Sequence, residues 1–356
     1  MGVIRGKAPG SHNNYINAIK EEKTMRKMMA LAMAAMMAVS LTACSGGSKT
    51  AETTKAAETT KAAEAEAAEA TGGAEAKTAE DITVGVSLLN STHVFFNNIQ
   101  AAMEEQAAEY GWTLDVQDAA GDANKQLSQV QDFITKGVDA IVIAPTNSAG
   151  SKSMIELAEA QNIPVFTMDI KSDGQAVSHI ATDNKKGGEL AAQYLVEKIL
   201  TEKKGTAAVI TYSEIESCVD RETGFTGYLE ANAPDIQVVD IQNYSGDQQK
   251  AADVMQNMLL KHDQLDVVFC VGDPAAIGAL SSITAAGADT KIIGYDGNPE
   301  GIAEIKNGGS WVADVAQDPV AIGKTTLSTV KSYLEGATPE AEILISPCMI
   351  DAENAQ

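Results

Sequence analysis

The sequence predicts an α/β protein built on parallel sheets, and two observations carry that reading. From Ile82 onward, short runs rich in Val and Ile alternate with helix-length amphipathic segments. This βαβ order gives a parallel sheet with right-handed crossovers. The units also fall into two similar halves. KGVDAIVIAP (136–145), a helix and IPVFTMD ending at Asp169 are echoed by DQLDVVFCVGDP (263–274), a helix and TKIIGYD ending at Asp296.

Taken in order, the predicted strands are Ile82–Leu88, Thr113–Gln117, Ala140–Ala144, Val165–Met168 and Val177–Ala181, then Ala207–Thr211, Gln237–Ile241, Val267–Val271, Lys291–Tyr295 and Trp311–Val315. Several are continuous in Val and Ile, the composition of strands covered by helices on both faces. The predicted helices are Phe95–Tyr110, Asn124–Lys136, Ser148–Gln161, Lys185–Glu202, Arg221–Asn232, Gln248–His262, Pro274–Ala286 and Val320–Leu334. GDANKQ (121–126) lacks the glycine and terminal glutamate of a calcium loop and is read as a helix start.

The chain ahead of Ile82 has a different character. Arg26 and Lys27 precede an apolar run from Met28 to Val39, and Leu41-Thr42-Ala43-Cys44 closes it. That is the order of a secretory signal peptide over 25–43, too short for a stable bilayer span. Its end resembles the bacterial lipobox, which implies that Cys44 is acylated, as by palmitate, and becomes the first residue of the mature chain. Residues 1–24 are of mixed charge without an apolar block, and are read as a misassigned start ahead of Met25. After Cys44 the 44–80 stretch is Ala, Glu, Thr, Lys and Gly with two serines, and AETTKA occurs at 51–56 and again at 57–62. It buries too little apolar surface to offset its ordering entropy and is expected to be a tether reaching roughly 30–35 Å as a coil.

Charge and cysteine content exclude several functions. Six of the 26 basic and two of the 49 acidic residues precede Cys44, leaving 20 against 47 and a formal charge of −27. Such a surface repels a phosphate backbone, so nucleic acid is not an expected partner. With Cys44 lipidated, Cys218, Cys270 and Cys348 remain, an odd number that gives no disulfide framework. Cys270 lies in an apolar run and reads as core, and Cys218 reads as part of a polar loop able to approach a ligand. The histidines His12, His93, His179 and His262 are too scattered for a zinc site, and neither a metal nor a cofactor is expected.

Asp169 and Asp296 each stand at the carboxyl end of an apolar strand, the edge at which open α/β sheets bind ligands. Two facing sheets would present both carboxylates to one ligand. Each aspartate alone could equally cap the next helix.

The segments FFNNIQAAMEEQAAEYGWTL (95–114), VSHIATDN (177–184), RETGF (221–225), ADVMQNML (252–259), DPAAIGAL (273–280), GYDGNPEG (294–301) and VAQDP (315–319) resemble type I periplasmic sugar-binding proteins, most of all the ribose-binding branch. The resemblance runs from about Ile82 to Asn354. It implies two Rossmann-like lobes joined by a three-crossing hinge, 81–182 with 318–346 and 183–317 with 347–356. It also implies that Phe95 and Phe96 stack on the sugar, that Asp169, Asp296 and Arg221 bind hydroxyls, and that Gln317 stands at the hinge. A carboxylate can accept from two neighbouring hydroxyls and a guanidinium offers a planar fork of donors.

Departures from the ribose branch are His93 for an asparagine, Ile170 for an arginine, Gly246 for an aromatic with Tyr244 two residues earlier, and Gly272 for an asparagine. These predict an enlarged pocket with fewer donors, in which His93 and Tyr244 supply new contacts. The expected protein is thus a monomeric, lipid-anchored extracytoplasmic receptor. It takes a sugar or polyol and delivers it to the permease of an ABC importer, or serves as a chemoreceptor or quorum-signal receptor of the same fold. A repressor would need a basic DNA-binding segment where the signal and acidic tether stand. Glycosidase chemistry would need a carboxyl with a raised pKa, whereas Arg221 is expected to lower that of its neighbours.

Replacing Cys44 with Ser is expected to release the protein into the medium or leave it unprocessed, read by fractionation and intact mass. Membrane retention at unchanged mass would contradict the anchor.

Overall fold

The computed structural model describes residues 82–355; the start at Met25, the signal segment, Cys44 and the tether lie outside the described residues. Twelve strands and nine α-helices follow one another among them. The first part runs β1 (Thr83–Leu88), α1 (Val94–Tyr110), β2 (Thr113–Asp118), α2 (Ala123–Lys136), β3 (Ala140–Ile143), α3 (Lys152–Glu159), β4 (Val165–Met168) and β5 (Ser178–Thr182). The second runs α4 (Asn184–Tyr194), a π-helical turn (Leu195–Ile199), β6 (Gly205–Thr211), α5 (Glu216–Asn232), β7 (Ile236–Asn243), α6 (Gln248–Lys261) and β8 (Val267–Cys270). It continues with α7 (Asp273–Ala286), β9 (Lys291–Asp296), α8 (Pro299–Asn307) and β10 (Trp311–Ala316), before α9 (Pro319–Leu334), β11 (Glu342–Ile345) and β12 (Cys348–Asp351).

The strands form two six-stranded sheets, ordered β11-β5-β4-β3-β1-β2 and β12-β10-β9-β8-β6-β7. All pairings are parallel except β10 with β12. The same order in both sheets is the structural form of the repeat read in the sequence. The chain passes between sheets after β5, after β10 and after β11, so three chain segments connect them. Each sheet buries its central strands completely: β3 and β4 in one, β8 in the other.

Local chemistry sets the ends of the elements. Gly111, Gly137, Gly287 and Gly308 close α1, α2, α7 and α8 at left-handed φ, the usual helix stop. Asp122, Asp183, Asp247 and Asp318 cap α2, α4, α6 and α9 through their side chains. The GDANKQ segment is therefore a helix start, as its sequence implies.

The structure corrects the sequence reading at six elements. Helix α5 begins at Glu216 rather than Arg221, so Cys218 sits in a helix and is buried, not on a loop. The helix read over 148–161 is confined to Lys152–Glu159, and the one over 185–202 changes to a π turn at Leu195. Helix α8 was not read. Strands β11 and β12 were not read either, because each is four residues long and partly exposed.

Helices α4 and α5 touch backbone to backbone. A Cβ on Gly188 would lie 2.0 Å from the Arg221 carbonyl oxygen, and one on Gly224 would lie 2.1 Å from that of Lys185. This contact sets the height of Arg221 above its sheet. Gly224→Ala is expected to lower stability by about 1–3 kcal/mol through overpacking. Gly227→Ala, on the same helix with open space around it, is expected to raise it by roughly 0.5–1 kcal/mol. Urea unfolding of both variants checks the contrast.

Candidate functional site

The carboxyl ends of both sheets open onto one cleft of about 370 Å³, within the roughly 300–1,000 Å³ typical of small-molecule sites. From the first sheet come Asn90 and Leu89 after β1, the start of α1, Thr146 after β3, and Asp169 with Ile170 after β4. From the second come Tyr212 after β6, the first turns of α5, Tyr244 to Gly246 after β7, Gly272 after β8, Asp296 at the end of β9 and Gln317 after β10. All nine residues singled out in the sequence (His93, Phe95, Phe96, Asp169, Arg221, Tyr244, Gly272, Asp296 and Gln317) line this one cavity.

Asp296 gathers the contacts of the second sheet's side. Its Oδ1 accepts from Gln317 Nε2 at 2.7 Å and from Arg221 Nη1 at 3.3 Å; its Oδ2 accepts from the Asp273 amide at 3.3 Å. Gln317 in turn accepts from Thr182 Oγ1 of β5 at 2.5 Å, which ties the two sheets at a crossing. Arg221 is buried, with its guanidinium 3.8 Å from the Tyr295 ring centroid. Its Nε donates to Asn184 Oδ1 at 2.8 Å and its Nη1 to the Val271 carbonyl at 2.7 Å. These bonds hold the guanidinium plane fixed and leave Nη2 without an acceptor among the described residues.

Asp169 is the opposite case. It is 6% exposed, and its Oδ1 is buried without a hydrogen-bond donor. A buried carboxylate oxygen left in this state costs about 1–3 kcal/mol or more, which a ligand hydroxyl would recover. Burial pushes its carboxyl up to about 7, Arg221 opposes the rise, and the charge of Asp296 adds to it. The expectation that Arg221 would hold its neighbouring carboxyls down is therefore wrong for Asp169, because desolvation outweighs the attraction of the nearby Arg221 charge. Neither aspartate is a helix cap: the next helix after Asp169 is α4, capped by Asp183, and α8 starts from Asn298. Both carry positive φ, 61° at Asp169 and 119° at Asp296. Such strain in a residue other than glycine marks a position that the surrounding fold enforces.

His93 has two roles at once. It is the N-cap of α1, its Nδ1 accepting from the Phe95 amide at 3.2 Å. That bond assigns the ring proton to Nε2, which stands 3.6 Å from Asp296 Oδ2 across the cleft. Phe95 and Phe96 form an edge-to-face pair with centroids 5.4 Å apart, both almost fully buried.

The sequence reading missed Tyr212. A Cβ on Gly246 would lie 2.9 Å from its ring, and Tyr212 packs edge-on against Tyr244 at 5.6 Å. The space that the sequence assigned to an enlarged pocket therefore holds a second tyrosine. At Gly272 the nearest groups are Asp296 Oδ2 and the Tyr244 hydroxyl, 3.5 and 3.6 Å from a would-be Cβ. Tyr244 thus stands where a longer residue at 272 would project. Cys218 lines the cleft, but burial pushes its thiol up to about 12, so it carries no thiolate to react. Among the described residues no cluster of side chains could hold a metal ion.

Residues 84–338 match the family described as a periplasmic binding protein domain. The chain belongs to that family. Among its relatives, the ribose import binding protein of Bacillus subtilis is 34% identical over 258 residues, 72% of this chain and 83% of that protein. The ribose import binding protein of Escherichia coli is 33% identical over 270 residues, 75% of this chain and 89% of that one. The solved Caulobacter myo-inositol binding protein, bound to myo-inositol, superposes with a TM-score of 0.72 at 29% identity, covering 77% of this chain and 94% of that one. The periplasmic binding protein fold, with its paired parallel sheets, is the architecture described above.

Asp169 ionises near 3.9 when unfolded and about 7 when folded. Between those values the native state holds the extra proton, so this group's contribution to stability falls as pH rises toward 7 and is level beyond it. Asp169→Asn removes the titration. Its stability relative to wild type is expected to rise by on the order of 1 kcal/mol per pH unit across this window. Denaturant unfolding of the unliganded proteins at about pH 5 and pH 8 measures it; a constant difference would contradict the raised pKa.

Proposed function

We propose that the protein is an extracytoplasmic binding protein of an ABC importer that captures one neutral cyclic sugar or polyol in the cleft between its sheets. The observation that carries this reading is the pairing, in one cavity, of Asp169, whose buried oxygen lacks a donor, with Asp296 and Arg221, whose positions are fixed by the protein. Two carboxyl groups want hydroxyl donors, and the free edge of one guanidinium offers a donor back. Phe95 and Phe96 supply an apolar face for ring C–H groups. An anionic ligand would meet both carboxylates with only Arg221 to balance them. The relatives support the class, since those named above bind ribose or myo-inositol.

Capture follows from the topology. Ligand hydroxyls reach Asp169 on one side and Asp296, Arg221 and Tyr244 on the other, so binding draws the two sides together about the three crossings. The lipid on Cys44 and the 44–80 tether would hold a monomeric receptor near the membrane permease.

The ligand differs from that of the ribose branch. Ile170 presents no donor, and Tyr212 and Tyr244 bring two hydroxyls and two ring edges to the second sheet's side. Calorimetric titration of ribose, xylose, arabinose, galactose, glucose and myo-inositol is expected to show a hexose, another pentose or a cyclic polyol at least tenfold tighter than ribose, about 1.4 kcal/mol. Ribose as the tightest of the six would contradict this. For the best ligand, Asp296→Ala is expected to cost about 2–4 kcal/mol of binding. A change under about threefold would remove Asp296 from the site.

A further inference from the structure

Two carboxyl groups stand behind the turn that follows Asp296. Asp314, on β10, is fully buried; its Oδ1 accepts the Gly297 amide at 2.9 Å and its Oδ2 the Trp311 indole N–H at 3.1 Å. Asp273, at the start of α7, is 2% exposed, and its Oδ2 accepts the Asn298 amide at 2.9 Å. Its own amide donates to Asp296. The turn is thus clamped at two consecutive peptide N–H groups, one by each carboxyl. The two carboxyls are within hydrogen-bonding reach of each other, and Asp273 Oδ1 has no N–H or O–H donor among the described residues.

The surroundings leave little to balance two negative charges. Gly294 on β9 and Ile350 on β12 flank Asp314 in the sheet, and Gly301 of α8 covers its Oδ2. The titratable groups acting on the pair are Asp296 and the Cys270 thiol. Arg221 lies beyond them, paired with Asp296. Two adjacent carboxylates in a dry site cannot both be charged without a large penalty. One proton between them removes the repulsion and gives the orphan oxygen its partner.

We propose that Asp273 and Asp314 share one buried proton, and that this pair is a positioning device holding the Gly297–Asn298 turn and, through it, the Asp296 carboxylate in the cleft. The consequence for binding rests on Asp296 being a ligand contact, as proposed above. Burial raises both carboxyls; at Asp273 the charges of Asp314 and Asp296 add to the rise, while at Asp314 the hydrogen bond with Asp273 opposes it and the charge of Asp296 adds to it, leaving Asp314 at about 7. Removing the shared proton at alkaline pH would set two charges against each other beneath the turn and loosen it.

Carboxyl NMR of the unliganded, aspartate-labelled protein, assigned with Asp273→Asn and Asp314→Asn, reads the proton directly. One carboxyl of the pair is expected to hold its proton at least two pH units above an ordinary aspartate, which ionises near about 3.9. Both titrating with the exposed aspartates would overturn the proposal. Affinity for the tightest sugar at about pH 6 and pH 9 reads the positioning. Asp314→Val, which can neither accept from the turn nor meet Asp273, is expected to bind at least tenfold more weakly. Asp314→Asn, whose amide supplies the donor permanently, is expected to rescue binding and to lose less affinity than wild type on going to the higher pH. A folded Asp314→Val variant with wild-type affinity would overturn the positioning role. Should that variant fail to fold, an Asp314→Asn profile parallel to wild type would overturn the shared proton. If wild type takes none of the sugars, the functional reading fails while the NMR titration still decides the pair.

Discussion

The site depends on one interaction, the buried pair of Arg221 and Asp296. Both are almost completely out of water, and taking two such ions from solvent costs several kcal/mol each before their attraction is counted. A pair of this kind adds little to stability on balance. What it supplies is position: Arg221 is tied to Asn184, Val271 and Tyr295, and Asp296 to Gln317 and the Asp273 amide. Few rotamers remain to either, so the entropy of aligning donors and acceptors for a ligand is lost at folding rather than at binding.

The two halves of the chain treat equivalent aspartates differently. Asp296 already accepts three hydrogen bonds from the protein and keeps room for a ligand hydroxyl, whereas Asp169 has an oxygen with no partner and a carboxyl poised near neutrality. One side of the cleft is thus prepared in advance, and the other is completed by what enters it. Both strands end at a residue of positive φ, 61° at Asp169 and 119° at Asp296, while the sequences around them set different degrees of satisfaction.

Much of this was legible in the sequence, for reasons that can be named. Parallel strands buried on both faces show as Val/Ile runs, and the repetition of a strand ending in aspartate located the cleft before any coordinates did. The edge strands were hidden because Glu342–Ile345 and Cys348–Asp351 draw their order from neighbours rather than from their own composition. Tyr212 was missed because it follows an apolar strand with nothing around it to mark a site; only the proximity of Gly246, distant in sequence, reveals its place. The raised carboxyl of Asp169 was misjudged because a charge partner can be guessed from sequence, while the depth of burial cannot.

If the buried ion pair exists for recognition, it can be removed without unfolding the protein. The double variant Arg221→Met, Asp296→Leu fills similar volume with apolar atoms, a change that is often neutral or stabilising for buried pairs. Calorimetric titration of this variant with the ligand that wild type binds most tightly is the most direct test. The account predicts a cooperatively folded protein with affinity reduced at least a hundredfold, about 2.8 kcal/mol. A folded double variant that binds as wild type does would contradict it.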